Sequence, residues 1–140
     1  MKKVFLGLIV LVVFVGTIIF INKPLSSNDS KQKPNLGFET LQEKAKKGDS
    51  KAQNELGNLY ANGSITDPTN KAALKLFEQS ASQGYSEAQY NLGTMYQNAI
   101  GVDQDLKKAV MYYKLAANQG HKEAKENLEI LCEQDSTLCN

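Results

Sequence analysis

The stretch SEAQYNLGTMY (Ser86 to Tyr96) repeats an earlier one, SKAQNELGNLY (Ser50 to Tyr60), at a distance of 36 residues. Each copy holds a glycine, Gly57 or Gly93, in the middle of an otherwise helical pattern, where glycine costs about 1 kcal/mol relative to alanine. At the same period Gly48, Gly84 and Gly120 coincide, as do Ala52, Ala88 and Ala124, and Leu56, Leu92 and Leu128. A period in this range denotes stacked helix pairs. Helix A of the pair carries Ala88, Leu92, Met95 and Tyr96. Helix B carries Ala109, Val110, Tyr112, Tyr113, Ala116 and Ala117, with equivalents Ala73, Leu74, Leu76, Phe77, Ser80 and Ala81. Spacings of three, four and seven place each set on one helical face.

Gly57 and Gly93 lie beside the leucines of helix A that face helix B, so the expectation is that the two backbones approach closely there and that packing offsets the lost helix propensity. In the third copy, KEAKENLEILC, the aligned residue is Glu129 and no helix B follows. A charge at that position suits a solvent-facing terminal cap. At the other end GFETLQEKAKKG aligns with helix B alone, keeping Phe38, Leu41 and Ala45 but replacing the second apolar row with Thr40 and Lys44. The expected domain is therefore all-α with about six helices: an opening helix over 37–48, repeats over 49–84 and 85–120, a closing helix over 121–133, and a tail over 134–140. Glycines in SASQG and AANQG stand where a helix end needs a left-handed residue. Asp67 before Pro68 is expected to be an N-cap with proline at N1.

Ahead of this domain, VFLGLIVLVVFVGTIIFI (Val4 to Ile21) is 18 residues without a charge, flanked by Lys2, Lys3 and Lys23. That length is the lower limit for a membrane-spanning helix and exceeds the apolar core of a cleavable signal. Residues 1–21 thus read as a retained membrane anchor, with a removed signal as the alternative. Positive charge is nearly balanced across the run, and the short leader favours an N-in anchor with the rest exported. Residues 22–36, with two prolines and three serines, form a flexible tether. Beyond residue 23 there are 13 lysines, 15 acids and no arginine, which speaks against a nucleic-acid surface.

Cys132 and Cys139 close the chain. On a continuous helix they would lie roughly 10 Å apart, too far for a disulfide, so a bridge requires the helix to end near Glu133 to Ser136. An exported chain favours the bridge; otherwise both are free thiols. His121 shares its slot with Asp49 and Tyr85, a variety expected of plain surface. One histidine and two terminal cysteines fall short of a structural zinc site, no nucleophile-base pair or phosphate loop stands out, and neither an enzyme nor a cofactor is expected.

The second copy, AQYNLGTMY followed by GVDQDLKKAVMYYKLAANQGH, resembles the Sel-one-like repeat, a relative of the tetratricopeptide repeat. Gly101, Val102, Asp105, Lys108, Ala109, Tyr113, Ala116, Ala117, Gln119 and Gly120 match its pattern, whereas Ile65, Thr66 and Thr69 depart from it in the first copy. The resemblance implies a right-handed α-solenoid of antiparallel helix pairs acting as an adaptor, in bacteria sometimes exported and disulfide-bonded. Together with the apolar run and the two cysteines, it is expected to place the chain in the cell envelope, anchored in the inner membrane with its repeats in the periplasm, or secreted or periplasmic after cleavage. Ligands of the related repeats meet the concave face of the A helices, which here would present Lys51, Asn54, Asn58, Asn62, Glu87, Tyr90, Thr94 and Asn98. The partner would be another protein or an extended peptide, since amide side chains both donate and accept hydrogen bonds. An ordinary solvated helix face is the alternative for the asparagines. Tyr90 is the strongest single candidate, because tyrosine offers contact area at low entropy cost, while Tyr60, Tyr96, Tyr112 and Tyr113 fall at core positions. Family analogy leaves a second role open, as inhibitor or immunity protein against an exported toxin or hydrolase.

Overall fold

The computed structural model describes residues 36–139. The apolar run Val4–Ile21 and the tether up to residue 35 lie outside them. No helix among the described residues is long and apolar enough to cross a membrane. Six α-helices follow one another without a strand among the described residues: α1 (Leu36–Lys46), α2 (Ser50–Ala61), α3 (Lys71–Ser82), α4 (Ser86–Asn98), α5 (Leu106–Ala117) and α6 (Lys122–Gln134), closed by a 3-10 turn at Ser136–Leu138. Helices α2, α4 and α6 are the A type and α1, α3 and α5 the B type. From α2 to α6 each packs against the next, and α4 also touches α6, so the chain forms a helical solenoid.

The core is layered to match. Ala45, Ala52 and Leu56 form one cluster, with Phe38 and Leu41 packed against it. Phe77, Leu92 and Met95 centre the second, and Tyr96, Val110, Tyr113 and Leu131 the third. Ala73, Ala88, Ala109, Ala116 and Ala124 are all completely buried.

Gly57 and Gly93 require a correction. A Cβ at Gly93 would lie 2.5 Å from both Cδ1 and Cε1 of Tyr113, and one at Gly57 would lie 2.7 Å from Cε1 of Phe77. The space is taken by an aromatic ring of helix B laid on the backbone of helix A, rather than by a second backbone. Glu129, the third copy's equivalent, is exposed and paired with Lys125 at 3.8 Å.

Helix ends follow the repeat. Gly48, Gly84 and Gly120 have φ of +92°, +85° and +91°, and the residue after each donates to a carbonyl five back, as in Asp49 N to Lys44 O (3.1 Å) and His121 N to Ala116 O (3.1 Å). This is the glycine-closed helix terminus. Asp49 and Asp105 cap α2 and α5 by accepting from Ala52 N (2.8 Å) and Lys108 N (3.0 Å). The expected start of α3 is displaced: its cap is Asn70, at φ +55°, and Pro68 lies outside the helix. Asp67 still serves α3 from a distance, accepting from Ala72 N at 2.7 Å and from the Thr69 hydroxyl at 2.8 Å. The Ala72 bond, chiefly, holds its carboxyl below the ordinary aspartate range.

At the far end α6 stops at Gln134, and Asp135, in extended conformation, accepts from Thr137 N at 2.9 Å. The break brings the Cα atoms of Cys132 and Cys139 to 5.6 Å and a disulfide joins them. Leu138 and Cys139 then lie against the third core cluster, and Lys114 Nζ donates to Cys139 O at 3.1 Å. The bonded tail thus covers part of the apolar surface of that cluster. Native protein is expected to show no alkylatable thiol until reduced. Reduction should lower stability by about 2 kcal/mol, the low end of the usual range, because the closed loop is short; mass spectrometry after alkylation and urea unfolding with and without reductant check both.

Candidate functional site

Of the eight residues expected on the A-helix face, Asn54 and Asn58 meet a seam between α2 and α4, and Glu87 and Tyr90 meet one between α4 and the start of α6. Between α2 and α4, Asn91 Nδ2 donates to Asn54 Oδ1 (3.0 Å) and Asn58 Oδ1 (3.2 Å). Asn54 is 3% exposed, which corrects its assignment as a ligand-facing residue: its amide is used to join two repeats. Asn58 remains exposed beside it, as do Lys51 and Asn62. Lys51 faces Glu55 at 3.9 Å, and Asn62 accepts from Ser64 N at 2.9 Å at the end of α2.

Between α4 and α6 the seam is aromatic. Tyr90 stacks on His121 with ring centroids 4.5 Å apart and planes 22° from parallel, and lies 5.9 Å from the Tyr113 ring. Thr94 Oγ1 lies 3.2 Å from Tyr90 O and 3.3 Å from the Tyr113 hydroxyl, which donates to Gln97 Oε1 at 2.6 Å. Burial pushes the Tyr113 phenol up, opposed by hydrogen bonds to Thr94 and Asn127. Tyr90 and Thr94 are half-buried, and Glu87 and Asn98 exposed.

His121 is not plain surface. Its side chain is 9% exposed, with Nε2 3.1 Å from Glu87 Oε2 and Nδ1 3.2 Å from Glu123 Oε2. Nδ1 also accepts from Ala124 N at 3.3 Å and so caps α6. The shared duty of this slot is to begin helix A: Asp49 and His121 cap through their side chains, and Tyr85 does not. That common task, hidden beneath three different residue types, was the signal the sequence carried.

Two glutamines also escaped attention. Gln53 and Gln89, both buried, donate back to the end of the preceding helix B, at Ala45 O (3.2 Å) and Ala81 O (3.4 Å). Each accepts from the glutamine that closes its own repeat, Gln83 (2.8 Å) or Gln119 (2.7 Å). Their recurrence at the repeat period within AQ pairs is the mark they leave. Every buried side-chain polar atom among the described residues has a partner. No group of three or more His, Cys, Asp or Glu among those residues is placed to hold a metal ion.

The comparisons with known proteins agree with this architecture. The family model described as Sel1 repeat matches residues 50–85 and 86–121. Among solved structures, the chain is similar to c5321 of uropathogenic Escherichia coli, described as a protective antigen displaying an SLR fold. The two share 40% identity and a TM-score of 0.67 over 71% of this chain and 21% of that one. It is also similar to a Sel1 repeat protein from Oxalobacter formigenes, at 31% identity and a TM-score of 0.60 over 63% of this chain and 36% of the other. The chain thus spans only about a fifth to a third of the lengths of these relatives. No curated protein matches. Sel1 repeat proteins generally serve as protein-interaction scaffolds. With two matched copies covering half of its length, this chain belongs to the Sel1 repeat family.

Proposed function

We propose that the protein is a non-catalytic adaptor of the cell envelope that binds an extended protein segment along its A helices. Residues 1–21 anchor it in the inner membrane, 22–36 are its tether, and the repeats over 37–140 wind as a right-handed superhelix in the periplasm. An apolar run of spanning length at the start of the sequence and a disulfide at its end support that placement.

One observation carries the binding role. Tyr90 is held flat against His121 and beside Tyr113, yet is left half-buried, with exposed Glu87 on the same histidine and exposed Asn58 held by the neighbouring Asn91. A ring fixed before binding loses little freedom on contact, which is what makes tyrosine effective at protein interfaces. The amides alongside offer donors and acceptors to a peptide backbone.

Crosslinking and pull-down from membranes tests this with wild type, Tyr90→Ala and Asn58→Ala side by side. Tyr90→Ala is expected to reduce partner recovery about tenfold, the effect of losing about 1.4 kcal/mol, with the helical circular dichroism unchanged. Recovery equal to wild type in both variants rejects the A-helix face as the site.

A further inference from the structure

A cleft of about 470 Å³ opens between α1, α2 and α3, within the size range of small-ligand sites. Ala45, Leu56, Tyr60, Ala72 and Leu76 form its apolar lining, and the charged residues that line it are Lys46 and Lys75. Neither lysine meets a carboxylate within ion-pair distance among the described residues. Leu56 and Tyr60 lie on a different face of α2 from Asn54 and Asn58, so the cleft is separate from the A-helix seams.

The second repeat shows what the cleft lacks. One period on, Tyr60, Leu76 and Ala72 become Tyr96, Tyr112 and Lys108. There the Tyr112 ring stacks on Tyr96 at 5.8 Å and 9°, and Lys108 Nζ stands 4.9 Å from the Tyr96 ring centre. Leucine and alanine are too short to do the same for Tyr60, and all three residues line the cleft. The same step replaces Lys75 with Met111 and Lys46 with Ser82, so neither cation recurs beside the stacked pair Tyr96 and Tyr112.

We propose that the cleft docks a protein segment bearing an aromatic side chain next to a carboxylate. The incoming ring stacks on Tyr60 as Tyr112 does on Tyr96. The carboxylate meets Lys46 and Lys75, whose charge selects against basic segments.

Fluorescence anisotropy on the full chain in phosphatidylcholine nanodiscs tests the proposal with labelled synthetic peptides. One carries Phe-Asp-Glu in a glycine-serine frame, a second has alanine for the phenylalanine, and a third has two lysines for the acids. The first is expected to bind at least about tenfold more tightly than either control, with affinity falling as salt rises. Ala72→Lys with Leu76→Tyr, which copies the second repeat, should abolish binding while keeping the melting temperature. Lys75→Glu, at an exposed position, should weaken binding about tenfold and decides the matter should the double variant not fold. Equal binding of all three peptides, no binding up to about 1 mM, or binding indifferent to Lys75→Glu overturns the proposal. So do the two other occupants: a second copy would give dimers that Ala72→Lys with Leu76→Tyr dissociates, and the chain's own leading segment would give crosslinks from Lys75 to Lys31 or Lys33.

Discussion

Gly93→Ala is expected to destabilise the protein by about 3 kcal/mol, although alanine is the better helix former by about 1 kcal/mol. The added methyl carbon would meet two ring carbons of Tyr113 at 2.5 Å, well inside contact distance. The ring has nowhere to go: Tyr113 is completely buried, and its hydroxyl is fixed by Gln97 at 2.6 Å. Overpacking typically costs roughly 1–3 kcal/mol and occasionally more; against a buried, hydrogen-bonded ring a cost of about 4 kcal/mol, less the propensity gain of about 1 kcal/mol, leaves about 3 kcal/mol. For a domain of about 100 residues the melting temperature should fall by roughly 10–20 °C. Urea unfolding followed by circular dichroism measures the loss, and a double-mutant cycle with Tyr113→Leu assigns it. In that background the alanine should cost less than half as much, since the ring atoms that the added carbon meets are gone. Gly57→Ala should be milder, because Phe77 has no hydroxyl to pin it. A neutral or stabilising Gly93→Ala would show that the ring on the backbone is not what holds α4 to α5.

The period made most of the fold legible before any coordinate. Positions that coincide every 36 residues have the same neighbours, so the helix pairs, the glycine-closed helix ends and the charge at Glu129 could be read together. What the glycines face could not be read from helix A alone. The clue lay in helix B, where Phe77 and Tyr113 are aromatic at the same position. The asparagines failed for a related reason. Periodicity within one helix separates a core face from its opposite, but Asn54 points into a seam with the neighbouring A helix, where Asn91 meets it. Such a seam runs between copies and depends on the residues of both. Asp67 shows the limit at short range: the Asp-Pro signal marked a helix start correctly in kind, yet the chain takes one further turn through Asn70 before the helix begins.

Gly101→Ala is expected to cost about 3 kcal/mol as well, for a reason that lies between repeats. Gly101 has φ +68°, and a Cβ there would stand 2.8 Å from the carbonyl oxygen and 3.0 Å from the carbonyl carbon of Asn70. Two penalties add. Left-handed backbone costs an L-residue about 1–2 kcal/mol, and the atoms in the way belong to main chain, which cannot rotate aside as a flexible side chain would. The contact joins the loop of the second repeat to that of the first, so it bears on how the repeats stack rather than on either helix pair. In the first copy, which departs from the family pattern here, Ile65 stands one period earlier; it is not at positive φ and packs its side chain against the first core cluster. Gly63→Ala supplies the control, since Gly63 has φ +79° with nothing within 4 Å of the added carbon. Only the backbone penalty applies there, about 1–2 kcal/mol. The difference between the two variants in urea unfolding isolates the contact with Asn70, and equal losses would mean that the loops of the two repeats do not support each other.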